Sequence, residues 1–314
     1  MIKKDLYKII YYFIKIRETE LSIAKYYSDK KMRCPVHLSV GQESISAALS
    51  AIYDKNDYAI SNHRCHAHYL SKDCSLYKMI SELLGFKDGC SKGIGGSMHL
   101  VDEKKNFIGS TAIVANSIPV GVGYAYSLLL KGDKSRVFIF LGDASIESGV
   151  FYESINFAII KNLNITFICE NNGYSVYSNF FDRQLKGRKI YKMVSALGVK
   201  TKKIKSNNPI TIFNKLKNFI KGQNLSFVEI DTYRYLEHCG PNNDDYLNYR
   251  PKKEIEYWKS IDFNRKIYSD KIIKKHFSSK EIDNIKKKVF QEIHNVFRKA
   301  KKGKPLDINQ LPKL

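Results

Sequence analysis

Three groups of residues in this chain have types and spacings that could do chemistry. Asp143 follows Gly142 at the end of a short apolar run, residues 137–141. Asn171 and Asn172 close a second apolar run, residues 165–169, and lead into Gly173. The third group is rich in imidazole: His37, then His63, Arg64, Cys65, His66 and His68 within six residues, and far downstream His238. A hard cation such as Mg²⁺ takes oxygen ligands and commonly keeps one or two protein groups beside substrate phosphates. One carboxylate (Asp143), one amide oxygen and a backbone carbonyl from the second turn would suit it. The plain alternative is that Asp143 caps a helix and the asparagines make a turn. The two turns together, at opposed ends of one unit, favour the cation. The cluster around Arg64 has poor spacing for zinc, since no second ligand pair such as CxxC or HxxxH accompanies it. An arginine flanked by imidazoles suits a phosphate, whose oxygens guanidinium binds in pairs; an exposed polar helix start is the bland reading.

Both turns belong to residues 136–178, which read as strand, turn, helix, strand, turn. The apolar runs are short and continuous, the pattern of strands buried on both faces. Between them Val150, Phe151, Ile155, Phe157, Ala158 and Ile159 recur at roughly helical spacing. Such a βαβ unit puts both turns at the carboxyl ends of parallel strands, where open α/β sheets bind ligands. A helix starting near Ser145 would aim its N-terminal N–H groups the same way, favourable for phosphate.

Upstream, residues 4–30 predict an amphipathic helix with Leu6, Ile9, Ile10, Phe13, Ile14 and Leu21 as its stripe. Glu43 opens the next helix, and His37 sits in the irregular piece before it. Residues 85–100 form a glycine-rich loop without the order of a P-loop. Residues 107–131 hold a loop and a helix of small residues (Gly121, Gly123, Ala125), suited to close packing within the chain or between subunits. Downstream come a polar loop over the site (179–194), a strand within 195–206, a helix (211–222), a final buried strand (226–232) and a long polar segment to Arg250. The Lys-rich remainder from 252 to 300 reads as a solvated helical appendage, with a frayed tail from Gly303. The implied division is a ligand-binding domain over 1–265 and an appendage over 266–314.

Composition excludes several classes. The 314 residues are 43% hydrophobic, enough for a core, and carry a formal net charge of +22. The lysines are spread along the chain with Asn, Ile and Tyr, as AT-rich coding would produce, and no arginine-rich tract marks a nucleic-acid surface. The six cysteines lack regular pairing and read as free thiols of a reducing compartment. Lys15 and Arg17 break the N-terminal apolar run, so neither a signal peptide nor a membrane span is expected. A cytoplasmic enzyme is the default.

The words around these residues extend the reading. VHLSVGQES (36–44), HRCH (63–66), GGSMHL (95–100), IVANSIP (113–119), GDAS (142–145), ENNGY (170–174) and TYRY (232–235) occur in one order. In that order they resemble the E1 α-subunit of 2-oxo acid dehydrogenases of the pyruvate and acetoin type. The resemblance spans about residues 5–265. It implies a thiamine-diphosphate-binding α/β fold, a doubly wound and mostly parallel sheet with helices on both faces. It implies that Asp143, Asn172 and the Tyr174 carbonyl hold Mg²⁺. Arg64 and His63 would contact the diphosphate, and Ala144 and Ser145 would donate backbone N–H groups to it. Ala112 and Val114 would line the aminopyrimidine. His37 and His238 would face the reacting carbon, with His66 near the site. The implied activity is decarboxylation of a small 2-oxo acid and transfer of the acyl unit to a lipoyl carrier. The implied partners are a β-subunit, in an α₂β₂ heterotetramer, and a lipoyl-bearing E2; neither nucleic acid nor membrane is expected.

Three departures stand out. The family's GDG is GDA here, which alanine tolerates only at negative φ. The tyrosine before Arg64 is His63. The family's HGHS-type loop is LEHCGPNNDD, with Cys239 where a phosphorylatable serine would stand, so kinase control of the mitochondrial kind is not expected. That loop borders the acceptor side, which keeps open a transketolase-like or acyloin-forming role in sugar or surface-polysaccharide biosynthesis. A nicotinamide dehydrogenase is disfavoured by the lack of GxGxxG after a strand, and a basic nucleic-acid-binding protein by the spread of charge.

Overall fold

Residues 2–29, 31–32 and 34–307 are described by the computed structural model. Six strands form one sheet in the order β2-β1-β3-β4-β8-β7, and all its pairings are parallel. They are β1 (Tyr58–Ser61), β2 (Phe107–Ser110), β3 (Val137–Gly142), β4 (Ile165–Asn171), β7 (Lys200–Ile204) and β8 (Leu225–Asp231). A two-stranded hairpin, β5 (Tyr174–Ser175) with β6 (Ser178–Asn179), stands apart. The central strands β3, β4 and β8 are buried almost throughout, because helices cover both faces. Strand β7 sits at an edge and carries Lys200, Lys202 and Lys203, which discourages pairing with another chain.

The period-2 alternation of side chains divides the core in two. Phe138 and Phe140 of β3 face one layer, and Val137, Ile139 and Leu141 face the other. The first layer holds α1 (Lys3–Tyr27), α2 (Glu43–Ser50), α3 (His66–Ser71), α4 (Leu76–Leu83) and the helices Pro209–Ile220 and Ser279–Ala300. The second holds α5 (Ser117–Leu130) and α6 (Gly149–Ile160). Helix α5 lies close on the sheet because Gly121 has no side chain: a Cβ there would stand 2.7 Å from Ile139 and 2.8 Å from Ile60. Gly123 faces open space, so chain-internal packing accounts for one of these two glycines.

Several elements differ from the sequence reading. Helix α1 forms with its expected stripe Leu6, Ile9, Ile10, Phe13 and Ile14 buried, but the burial extends beyond that stripe. It buries Lys15, Arg17, Thr19 and Glu20 with its apolar stripe, while Leu21 is exposed. Arg17 is tied to Glu43 and Asp262, which lets a charge go inside. The 252–300 segment does not behave as a solvated appendage. The helix Ser279–Ala300 buries Ile282, Ile285, Val289, Ile293 and Phe297 in the same core as α1. Tyr26 stacks on Phe297 at 4.7 Å, and Lys15 pairs with Glu292 at 2.8 Å. Packing therefore runs across residue 265. The tail is anchored through Leu306, whose N–H donates to the Gly85 carbonyl, and through a bridge between Phe86 and Pro305; residues 308–314 lie outside the described part.

Strand order reverses between β1 and β3: the chain goes from β1 out to β2, then returns to β3 on the other side. In open α/β sheets that switch point is where ligands bind, at the carboxyl ends. Register aligns Gly142 with Glu170 and Asn171 with Asp231, so the turns carrying Asp143 and Asn172 share one edge with the segments that follow β1 and β8.

Candidate active site

One cavity of about 180 Å³ opens at this switch point. It is lined by His37, His63, Arg64, Ala112, Val114, Asp143, Ala144, Ser145, Asn172, Tyr174 and His238. Thus eleven of the twelve residues singled out from sequence meet there, drawn from the ends of β1, β3, β4 and β8 and from two loops. Larger clefts of about 600 and 670 Å³ lie elsewhere, one against Phe86 and Pro305 and one among Lys8, Tyr53 and Lys72. Neither contains any of the twelve.

His66 is the residue left out. It is fully buried, with Nδ1 3.0 Å from Glu20 and Nε2 2.8 Å from Ser97. Both ring nitrogens are committed, so His66 braces α3 against α1 and the glycine-rich loop instead of facing the cavity. His68 is similar, bonded to Ser61 and Glu170 and stacked on Phe140 at 3.7 Å between ring centroids.

Asp143 is only 2% exposed. Burial raises its carboxyl to about 7, although Arg183 opposes this from 2.9 Å. Arg183 also reaches Glu147 at 3.1 Å. The helix expected from Ser145 is a 3₁₀ turn, Asp143–Glu147, and α6 begins only at Gly149; the sharp turn out of β3 is too tight for an α-helical start. Ala144 does not have a positive φ, so alanine fits the turn without strain.

The second turn is built by the two asparagines in different ways. Asn171 donates to Glu229 at 2.7 Å and accepts from the Gly173 N–H at 3.0 Å, which fastens the turn to β8. Gly173 takes φ +79. Asn172 faces the cavity, donates to Gln42 at 3.1 Å and accepts from the Tyr174 N–H at 3.0 Å. Val176, also in the cavity wall, has φ +53, a strained value for a β-branched residue.

Arg64 is held by three contacts. Its N–H donates to Asn62 at 2.9 Å, and its guanidinium donates to the carbonyls of Leu38 (2.7 Å) and His238 (3.2 Å). Around it stand His37, His63 and His238, with ring centroids 4.7 Å, 4.9 Å and 5.4 Å apart. Burial, reinforced by the Arg64 charge, lowers them to about 2, 3 and 4 respectively. All three are neutral at pH 7.

The glycine-rich loop has an internal ligand. The Glu82 carboxylate accepts the N–H groups of Ser91 (2.7 Å), Gly93 (2.9 Å), Gly95 (2.7 Å) and Gly96 (3.1 Å). The loop cradles an anion of its own chain, and so places Ser97 against His66 and Met98 in the cavity wall. The sequence reading missed Gln42, Glu170 and Arg183. Gln42 and Glu170 lie inside the words VHLSVGQES and ENNGY, a signal that could have been used; Arg183 lies in a segment with no distinguishing pattern.

The donor set suits a hard cation beside an anion. A dry carboxylate pushed toward neutrality is recharged by a dication, and the Asn172 oxygen and the Tyr174 carbonyl stand in the next turn. The Arg183 guanidinium, 2.9 Å from Asp143, supplies a fixed positive charge beside the carboxylate. The residues therefore fit a cation–diphosphate pair.

Comparison with known proteins agrees in extent and order. The family model described as dehydrogenase E1 component matches residues 12–309. The chain is 32% identical over 263 residues to the pyruvate dehydrogenase E1 component subunit alpha of Rickettsia felis, covering 82% of this chain and 79% of that one. It is 30% identical to the protein of the same name from Porphyra purpurea, over 87% of this chain and 81% of the other. It is 30% identical to pyruvate dehydrogenase E1 component subunit alpha-1, mitochondrial, of Arabidopsis thaliana, over 91% and 73%. With nearly its whole length matched and the converging turns in place, the chain belongs to the dehydrogenase E1 component family of thiamine-diphosphate-dependent 2-oxo acid dehydrogenases, as an α-type subunit.

Proposed function

We propose that the chain binds thiamine diphosphate with Mg²⁺ in the cavity between β1 and β3, decarboxylates pyruvate or a similar small 2-oxo acid, and passes the acyl unit to a lipoyl group of an E2 partner. The single observation that carries this is the convergence of Asp143, Asn172, Tyr174, Arg64 and three neutral imidazoles on one cavity. When bound, the cofactor supplies the nucleophilic carbon and the electron sink for loss of CO₂.

The protein's own residues do the rest. Asp143, the Asn172 side chain and the Tyr174 carbonyl hold the cation. Arg64 holds the diphosphate, helped by the Ala144 and Ser145 N–H groups; His63 stands beside it. Ala112 and Val114 line the aminopyrimidine through their backbones. His37 and His238 are neutral at working pH, so each can accept a proton at one ring nitrogen and give one from the other.

A β-subunit completes the site in an α₂β₂ assembly. Its support is exposed apolar surface: Ile113 and Val114 at the cavity are 66% and 56% exposed, and Val120 of α5 and Phe157 and Ile160 of α6 are also exposed. Among the described residues no helix is long and apolar enough to cross a membrane.

Calorimetric titration of the chain with its β partner tests the reading. Wild type binds thiamine diphosphate in a Mg²⁺-dependent way, and Asp143→Ala loses at least about 100-fold, on the order of 3 kcal/mol. Absence of metal-dependent binding in wild type would sink the proposal. A second reading keeps the cofactor and changes the acceptor, because the loop after His238 is closed on itself by Glu237 and Asn242, which exchange hydrogen bonds at 2.9 Å and 2.8 Å. Reductive acylation of lipoamide separates the two.

A further inference from the structure

The cavity holds a feature that cofactor binding does not use up. His37, His63 and His238 each offer a ring nitrogen, and those atoms all lie within 4.8 Å of one another. No ring nitrogen of the three has a hydrogen-bond partner among the described residues. His37 is 7% exposed, and its Nδ1 is buried without any partner. Leaving a buried polar atom unpaired costs about 1–3 kcal/mol, and a bound group would offset that cost. The three side chains come from separate fixed points: the bend before α2, the end of β1 and the segment after β8.

We propose that His37, His63 and His238 form a second metal site, distinct from the oxygen ligands at Asp143, that takes a borderline divalent cation of the Zn²⁺ type. Nitrogen donors select Zn²⁺, Cu²⁺ or Ni²⁺ over Mg²⁺. Three imidazoles with a fourth position open to the cavity is the form of a site that exchanges its last ligand. Zinc–nitrogen bonds of about 2.0–2.1 Å put tetrahedral donors roughly 3.4 Å apart, so side-chain rotation must draw the rings together. The Arg64 guanidinium, and Arg234 behind it, disfavour bare positive charge. The fourth ligand is therefore anionic: hydroxide, chloride or a carboxylate oxygen. Position 63 decides the matter, since a tyrosine there would leave two imidazoles. On the proposed function, a cation here ties up the proton-carrying nitrogens and inhibits the enzyme.

The test uses the full chain with its β partner, stripped of thiamine diphosphate, and Zn²⁺ alone as probe in competition with a chromophoric chelator. Co²⁺ is the spectroscopic stand-in. The expected result is one Zn²⁺ per chain and the visible band of tetrahedral Co²⁺. Removing an outer-shell partner typically costs 10–100-fold in metal affinity, so His63→Tyr and His238→Gln, each losing a ligand, should weaken Zn²⁺ by about 100-fold or more. Cys239→Ser, which removes the neighbouring exposed thiol, and His294→Gln, on the far helix, should change nothing. No stoichiometric binding, binding indifferent to both histidine changes, or binding lost in Cys239→Ser would each overturn the proposal. Asp143→Ala separates it from the cofactor reading, because that variant loses Mg²⁺-dependent thiamine diphosphate binding and keeps Zn²⁺.

Discussion

Two polar interiors of this molecule use the same residue types for opposite ends. Behind the cavity, His66 is bonded at both ring nitrogens, Glu82 takes four backbone N–H groups, and Arg17 lies between Glu43 and Asp262. In the cavity, His37, His63 and His238 touch one another but have no hydrogen-bond partner for their ring nitrogens among the described residues, and Asp143 has the Arg183 guanidinium beside it. His63 and His66 are three residues apart. What separates a bracing histidine from an available one is first the count of satisfied atoms: His37 is nearly as buried as His66 yet its Nδ1 has no partner, while His63 and His238 are half-buried. A site must keep donors and acceptors free for its ligand, and the bracing network absorbs the stability that this forgoes.

That contrast can be broken by mutation. Arg17→Met should have the largest effect, a loss of about 3–5 kcal/mol in a thermal melt, because two buried carboxylates lose their cation. A loss under 1 kcal/mol would mean that the network is ornamental. His66→Ala should cost about 2–3 kcal/mol by stranding Glu20 and Ser97, whereas His37→Phe, which removes no hydrogen bond, should change stability by less than about 1 kcal/mol or raise it. Equal losses in the two would erase the distinction.

Acid sharpens it further. His37, His63 and His238 have folded values of about 2, 3 and 4, below the ordinary 6.5. The unfolded chain therefore binds more protons, and stability falls as pH drops from 6.5 toward 4, by up to about 1.4 kcal/mol per pH unit for each histidine. Asp143, raised to about 7, works the other way over its own range. Comparing wild type with His63→Phe isolates one histidine: the variant's stability should fall less steeply between pH 6.5 and 4, and parallel curves would refute the assignment. The smallest effect is at Val176, whose strained φ Asn tolerates better: Val176→Asn should gain about 0.5–1 kcal/mol in the melt.

Much of the site was legible because its chemistry is local to strand ends. A short apolar run ending in Gly142-Asp143 or Asn171-Asn172 states both the strand and the turn, and the parallel register then brings the turns together. Elsewhere the deciding partner is distant in sequence. Glu20 commits His66 from 46 residues away, and no local pattern marks it. The glycine-rich loop was read without Glu82, the carboxylate that explains it. Strands β1 and β2 have four residues each, too few for a periodicity to register. In helix α1 the apolar stripe is legible, but the burial of Lys15, Arg17 and Glu20 is not, because their partners Glu292, Glu43, Asp262 and His66 are distant in sequence.

The pairing of α1 with the helix Ser279–Ala300 also governs how the chain is made. Synthesis runs at about 5–20 residues per second, so roughly 10–50 s separate the emergence of α1 from that of the helix that covers Tyr26 and binds Tyr11. Throughout that interval the face of α1 that meets the last helix lacks its cover, while α2 and α3 can already pack on the rest. The order of synthesis therefore leaves that face of α1 the last part of the core to be closed.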